Sequence, residues 1–433
     1  MSRNASAWAR ATQLVLAASF AVACGVDAAS AAPPATKDIM KNYGDMAVAM
    51  YGDALAKAKD LEKAIDTFLA SPTTETLAAA RDAWKASRVP YMQTEGFRFG
   101  NKIVDDWEGE VNSWPLDEGL IDYVDKASYG DTKEENPLYT ANIIANKKIR
   151  LGPKILDAST IDKDVIKKLN SALDVEANVG TGYHAIEFLL WGQNLHGTAA
   201  GSGERQASDY DLKNCTHENC DRRRAYLKAA SSLLVDDLTE MVGDWQPDGK
   251  ARKALAGEDE NVQLSTILTG IGSLSYGELA GERMKLGVLL HDPEEAHDCF
   301  SNNTHNSHYY DQVGMMEIWN GKFDGSKPFS GPSIAELARE KAPDAAKRVD
   351  DAMANTLEKL KAIKTSADSG AMAYNQMLAA GNDAGNKLIL DGVDALVAQA
   401  RAVEAVVAAL NLKVKIEGSD SLDDPDKVAA KAK

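Results

Sequence analysis

Apolar residues recur at helical spacing along most of this chain, and this periodicity constrains the fold more than any other feature. In the segment 37–70 the pattern is carried by Met46, Met50, Leu55 and Leu61. Residues spaced in this way share one face of a helix. No alternating apolar and polar pattern typical of a half-buried strand extends beyond a few residues. The sequence therefore predicts an all-α fold of two packed helical bundles.

Length and turn composition predict where the bundles divide. The 433 residues exceed what one compact core usually holds. A stretch rich in Gly, Ser and Asn lies near the middle and is the best candidate for a boundary. The predicted organisation is an N-terminal helical domain at 38–195, a linking excursion at 196–220, a C-terminal bundle at 221–412 and a flexible tail at 413–433.

The segment 1–31 has the pattern of a secretory signal peptide. A positively charged start is followed by an apolar run at 11–23 and by Ala-Ser-Ala at 29–31, which suits cleavage. We therefore expect export to the periplasm. A weaker lipoprotein pattern ends at Cys24, so attachment to the outer membrane through that residue remains an alternative. No later stretch reaches the roughly 20 apolar residues that a bilayer requires.

The formal net charge of −17 limits the partners of the protein. An acidic surface repels the phosphates of nucleic acids and anionic membrane surfaces. We therefore expect no nucleic-acid partner.

Three cysteines remain after the predicted cleavage. In an oxidising compartment Cys215 and Cys220 are expected to form a disulfide that closes a small loop. Cys299 is then unpaired, although it could instead pair with one of the other two. His217 lies between the first two thiols, so metal ligation is a less favoured alternative.

The segment Gly182-Tyr-His184-Ala-Ile-Glu187 carries the main functional signal. His184 and Glu187 are three positions apart, which places them on one face of a helix. An imidazole and a carboxylate form a mixed ligand pair that suits iron, zinc or manganese. The pair lies in an apolar segment where an uncompensated charge is costly. The sequence therefore predicts a metal site.

This Gly-x-His-x-x-Glu motif resembles the signature of the imelysin family. That family includes the insulin-cleaving membrane protease, EfeO-type iron-uptake proteins and iron-regulated protein A-like proteins. The resemblance spans roughly residues 38–412 and implies a two-domain helical fold, a motif near the domain junction, and an exported protein of iron acquisition. Peptidase activity is also attributed to the family. Further matching segments are Trp84-x-x-x-Arg88, Tyr91–Gly100, Trp114–Asp117, Cys215–Arg224 and Cys299–Tyr310.

Additional ligands are needed to complete a metal site. Glu95 follows Pro90 and could approach from a neighbouring helix. Glu278 and Glu282 are four positions apart, so a shared helix face is expected, either at the metal or at a solvated edge. We expect Arg88 to pair with Glu95 or, less favoured, to neutralise a carboxylate cluster.

A polar segment at 291–311 holds a second group of candidate ligands. We weigh a second ion site or capture loop against a polar loop held by Cys299, and the loop is favoured. One Glu-x-x-His pair is present, whereas a ferritin-type centre needs two, so that class is rejected. The residues concerned are His291, Asp292, His297, Asp298, His305, His308, Tyr309 and Asp311.

The favoured function is metal binding for iron acquisition. The ion, either alone or carried by a chelating molecule, would be held by His184, Glu187 and one or two further carboxylates. Hard oxygen donors with an imidazole favour iron over copper. Membrane components of iron uptake are the expected protein partners.

A zinc metallopeptidase is the alternative. Zinc catalysis needs three protein ligands, an open position for water and a base. Only His184 and Glu187 are assigned, and the third ligand and the base are not. A cleft that binds a polymer is a weaker possibility, because aromatic residues make up only 6% of the chain.

Overall fold

The computed structural model describes residues 32–132 and 136–431, and helix dominates them. The α-helices are α1 (Thr36–Ala70), α2 (Thr74–Met92), α3 (Lys102–Val111), α4 (Lys126–Tyr129), α5 (Lys163–Lys167), α6 (Gly182–Trp191), α7 (Cys220–Asp244), α8 (Lys250–Ala256), α9 (Glu260–Ser273), α10 (Leu286–Leu290), α11 (Thr304–Asn320), α12 (Ile334–Lys341), α13 (Pro343–Asp368), α14 (Tyr374–Leu378), α15 (Asp383–Ala409), α16 (Asp420–Asp423) and α17 (Pro425–Lys431).

Strands are confined to two short antiparallel hairpins. The strand β1 (Lys148–Leu151) pairs with β2 (Lys154–Asp157), and β3 (Lys322–Phe323) pairs with β4 (Phe329–Ser330). The prediction of an all-α fold of packed helices is therefore confirmed. The predicted signal peptide and Cys24 lie outside the described residues.

The long helix α1 packs through one buried face against the helices of the N-terminal half. It packs against α2 and α7, and its buried stripe includes Met46, Met50 and Leu61, each at most 1% exposed. The next helix, α2, begins with a capping box between Thr73 and Thr76. Such a box satisfies backbone N–H groups that have no partner in the first turn of a helix.

The predicted linking excursion packs against the helices around it. Arg205 and Tyr210 are buried, and the Tyr210 hydroxyl donates a hydrogen bond to the carbonyl of Leu189 at the end of α6. Residues 33–433 group into one compact unit. The proposed division at 196–220 remains a prediction.

A π-helical segment at Leu274–Lys285 continues α9 into α10. Its hydrogen bonds join residues five apart, and such segments are frequent at functional sites. It packs against α15 and α16. Ser421, in the region predicted as a flexible tail, is 1% exposed and donates to the carbonyl of Gly281.

Within the described ranges, no helix is long and apolar enough to span a membrane.

Candidate metal centre

The helix α6 carries the Gly-x-His-x-x-Glu motif in the interior of the protein. All its residues are buried. Gly182 has a φ of +77°, and a Cβ atom there would lie 2.2 Å from the carbonyl oxygen of Val111. A side chain is excluded by both the backbone conformation and the close contact. The first glycine of the motif therefore lets the start of α6 pack against the end of α3.

Two contacts orient the beginning of α6. The hydroxyl of Thr181 donates to the carbonyl of Glu110 at 2.7 Å. The indole Nε1 of Trp84 donates to the carbonyl of Tyr183 at 3.0 Å. Because these contacts come from α3 and α2, the position of His184 depends on the packing of three helices.

His184 and Glu187 meet as the sequence predicts. The Nδ1 atom of His184 lies 3.0 Å from Oε2 of Glu187, and both side chains are 0% exposed. The other carboxylate oxygen accepts a 2.8 Å hydrogen bond from the backbone N–H of Ser301. The Nε2 atom of His184 has no hydrogen-bond partner among the described residues.

This arrangement changes the role expected for Glu187. Histidines that bind metals usually donate their second ring N–H to a carboxylate, which fixes the ring. In the same way, Oε2 of Glu187 faces Nδ1 of His184 at 3.0 Å. The geometry therefore favours Glu187 as the group that orients His184, with Nε2 of that ring left to bind a metal.

The remaining ligand candidates come from the loop before α11. Each of His184, His297 and Asp298 offers a ligand atom, and these atoms all lie within 4.8 Å of one another. The rings of His184 and His297 have centroids 4.8 Å apart. We call His184, Glu187, His297 and Asp298 the central cluster. The sequence favours a polar loop for His297 and Asp298, with a second ion site as the alternative, whereas the structure places both residues beside His184.

Arg88 holds Asp298 in place and does not pair with Glu95. Its Nη2 donates to Oδ1 of Asp298 at 2.9 Å, and its Nη1 donates to Asn112 at 2.6 Å. The second oxygen of Asp298 accepts hydrogen bonds from Asn303 and Ser307. The expected partner of Arg88 is therefore corrected to Asp298.

Burial sets the protonation of the two histidines. It lowers the pKa of His184 to about 3 and holds the pKa of His297 well below its ordinary value. Charging either ring would place a cation in a dry interior beside Arg88. Both rings are therefore neutral near pH 7, which is the form that binds metals.

The two carboxyl groups respond to their surroundings in opposite directions. Burial, with a further contribution from the nearby Asp298, raises the pKa of Glu187 well above its usual range. Burial also acts to raise the pKa of Asp298, but Arg88 and hydrogen-bond donors outweigh it and hold that pKa below its ordinary value. Asp298 is therefore the anionic ligand candidate.

The other predicted carboxylate ligands surround Arg283. Its Nη2 lies 2.7 Å from both Glu95 and Glu278, and its Nη1 lies 3.3 Å from Asp311. We call Arg283, Glu95, Glu278 and Asp311 the Arg283 cluster. Glu95 and Glu278 therefore contact a guanidinium group, and they are absent from the group of ligand atoms around His184.

Glu278 and Glu282 have different surroundings in the structure. Oε1 of Glu278 accepts a 2.9 Å hydrogen bond from Nε of Arg283, five positions along the π-helical segment. Glu282 is exposed and accepts a 2.5 Å hydrogen bond from the hydroxyl of Ser419.

The cysteines follow the favoured prediction. Cys215 and Cys220 form a disulfide, and Cys299 is a free, buried thiol. His217 lies between the bonded cysteines and contacts Asp209 at 2.6 Å.

The histidines of the polar segment have separate surroundings. His291 contacts the carbonyl of Leu378, and His305 contacts Asp368 at 3.1 Å. The proposed capture loop is therefore not one cluster, because its histidines are held by different parts of the fold.

An acidic pocket of about 460 Å³ opens beside the central cluster. Cys299 lines it and directly follows Asp298 in the chain. Trp114 also lines it and packs edge-on against His297, with ring centroids 6.0 Å apart. The carboxyl-bearing residues of the lining are Asp117, Glu118, Asp292, Glu294 and Glu295. The pocket therefore lies next to residues that adjoin the central cluster, and its lining is acidic.

Comparison with known proteins shows the family. The imelysin family pattern matches residues 47–403. The chain therefore belongs to the imelysin family.

A curated relative and two solved structures are similar to this chain. Iron-regulated protein A of Synechococcus elongatus is 35% identical over 83 residues, which are 19% of this chain and 23% of that protein. A structure assigned as an iron-regulated protein A precursor of Parabacteroides distasonis has a TM-score of 0.60 at 19% identity and covers 88% of this chain and 97% of that one. An imelysin-like protein of Psychrobacter arcticum has a TM-score of 0.55 at 16% identity, with coverage of 88% and 98%. The two structures support the fold alone.

Proposed function

We propose that this protein is exported, binds a ferrous ion in the central cluster and serves iron acquisition. The main support for this proposal is that His184, His297 and Asp298 come together, with ligand atoms that lie within 4.8 Å of one another. The unpartnered Nε2 of His184 supports this proposal, since a buried polar atom without a partner is costly.

The donor set suits a ferrous ion. Two imidazoles and one carboxylate are the ligands of many non-haem Fe(II) sites. His184 and His297 are held neutral by burial, and Arg88 keeps Asp298 ionised. The ligands are therefore already in their binding forms at neutral pH.

Relatives support the link to iron. The curated relative is named iron-regulated protein A, and the same name appears for the Parabacteroides protein. We propose by extension that this chain receives iron, alone or with a chelating molecule, and passes it to membrane components of uptake. In this proposal the exported protein is free in the periplasm, and attachment to the outer membrane through Cys24 is the alternative.

Burial favours binding over peptide hydrolysis. A zinc peptidase needs an open coordination position that a polypeptide can reach. His184 and Asp298 are 0% exposed and His297 is 2% exposed. A single ion can approach such a site through the acidic pocket, whereas a peptide bond requires a much wider opening.

An anaerobic titration of metal-free protein with Fe(II) tests the proposal. The wild type is expected to bind saturably, and His184→Ala and Asp298→Asn are expected to weaken binding at least about tenfold, which corresponds to about 1.4 kcal/mol. His217→Ala serves as the matched control, because that histidine side chain is 50% exposed and lies at the disulfide loop. Equal affinity in the wild type and His184→Ala would remove the proposal.

A second assay separates binding from hydrolysis. Zinc-loaded wild type is incubated with an unstructured polypeptide, with and without a chelator. We expect no cleavage that depends on the metal. Cleavage that the chelator stops and that Asp298→Asn lacks would establish the peptidase instead.

A further inference from the structure

A second histidine and aspartate pair lies inside the protein on α11. His308 is 1% exposed and Asp311 is 0% exposed. In the described parts of the chain, neither ring nitrogen of His308 has a hydrogen-bond partner, and Oδ1 of Asp311 has none. Buried polar atoms are nearly always paired with protein, water or an ion. Three such atoms on side chains one helical turn apart are available to bind a ligand.

The pair repeats the residue spacing of the motif on α6. His308 and Asp311 are three positions apart on a helix, as are His184 and Glu187. Side chains at this spacing lie on one face and can meet one ion. The sequence offers His308 and Asp311 only as two of eight candidate ligands in the segment 291–311, and it is their burial and unpaired atoms that single them out.

The second pair faces the same interior as the central cluster. Ser307, the residue before His308, donates to Asp298. Arg283 and Arg88 act electrostatically on both His308 and Asp311. The site is therefore close to the first one, and it is separated from solvent.

Asp311 is the least tightly held carboxylate of the Arg283 cluster. Arg283 approaches Glu95 and Glu278 at 2.7 Å but Asp311 at 3.3 Å. Only one oxygen of Asp311 faces the guanidinium, and the other is free to bind a cation. The ring of His308 is positioned by Tyr374, whose ring meets it edge-on with centroids 5.4 Å apart.

We propose that His308 and Asp311 form a second metal-binding pair that takes a divalent cation such as Fe(II) beside the central cluster. The identity of the metal in this proposal rests on the proposed function. The placement of the His308 and Asp311 pair does not. An imidazole and a carboxylate oxygen supply two ligands, and water or a chelating molecule would fill the other positions.

A titration of metal-free full-length protein with cobalt(II) tests this site. Equilibrium dialysis counts the bound metal ions, and absorption spectra show which kinds of ligand the cobalt has. The wild type is expected to bind two equivalents. His308→Ala and Asp311→Asn are expected to bind one, with the affinity of the remaining site changed less than about threefold. His305→Ala, on the same helix and paired with Asp368, is the matched control and is expected to bind two.

The outcomes separate the two proposals. The second site is overturned if the wild type binds only one equivalent of cobalt(II). It is also overturned if His308→Ala binds two equivalents with unchanged affinity. Complete loss of binding in both His184→Ala and His308→Ala means one shared ion and also overturns it. Retention of all binding by His184→Ala defeats the proposed function instead. Circular dichroism checks folding, and Asp311→Asn, which preserves side-chain shape, decides the test if His308→Ala does not fold.

Discussion

Gly182→Ala perturbs the element that positions the metal centre. At a φ of +77° an alanine costs roughly 1–2 kcal/mol relative to glycine. Its Cβ would also lie 2.2 Å from the carbonyl oxygen of Val111, where contacts under 3.0 Å require movement. The neighbouring carbonyl of Glu110 is bonded to Thr181, so the end of α3 is not free to withdraw. Overpacking of this kind adds about 1–3 kcal/mol.

The expected loss in the free energy of unfolding is therefore about 2–5 kcal/mol, measured by urea denaturation followed by circular dichroism. Gly52→Ala is the matched control, because Gly52 lies inside α1 and its added Cβ would meet nothing within 4 Å. That substitution is expected to stabilise by about 0.5–1 kcal/mol. A loss below about 1 kcal/mol for Gly182→Ala would refute the close-contact argument.

Three other perturbations have defined outcomes. Arg88→Met leaves the Asp298 charge buried without its partner, and urea denaturation is expected to show a loss of about 3–5 kcal/mol in the free energy of unfolding. A loss under about 1 kcal/mol would contradict the pairing of Arg88 with Asp298. Burial raises the pKa of Asp237 to about 7, so the folded state holds this proton to higher pH than the unfolded chain, and this residue contributes a fall in stability as pH rises from about 4 to about 7. Asp237→Asn should remove that fall, and an unchanged pH profile of unfolding would reject the assignment. Replacing Cys215 and Cys220 by Ser should lower the free energy of unfolding by about 2 kcal/mol. A reducing agent should lower the stability of the wild type but not of this variant.

The helical architecture follows directly from the sequence pattern. The segment predicted from Met46, Met50 and Leu61 is α1, with those side chains on its buried face. The periodicity suffices here because helical hydrogen bonds are local and the apolar face selects the packing side. The disulfide between Cys215 and Cys220 also follows from sequence, because only a short loop separates them.

The complete centre does not follow from the sequence in the same way. His184 and Glu187 are neighbours on one helix, so their contact is local. Asp298 reaches His184 only through long-range packing, and no spacing rule links the two residues. The sequence also gives no sign that the segment holding Glu278 and Glu282 is π-helical, that Glu278 contacts Arg283 or that Glu282 is exposed.

Charge balance explains the misassignment of Glu95. A buried carboxylate needs a cation, which can be a metal or a guanidinium. The sequence shows both Glu95 and Arg283 but not their contact across 188 positions. In the structure the cation that Glu95 contacts is Arg283, and the candidate metal ligands lie elsewhere, at His184, His297 and Asp298.

The most direct test of the central claim is a crystal structure of the protein loaded anaerobically with Fe(II), with anomalous scattering measured at the iron edge. We expect an iron peak within about 2.3 Å of Nε2 of His184, and at ligand distance from His297 and Asp298. Iron found only among the carboxylates of the acidic pocket, or absent from the interior, would contradict this claim.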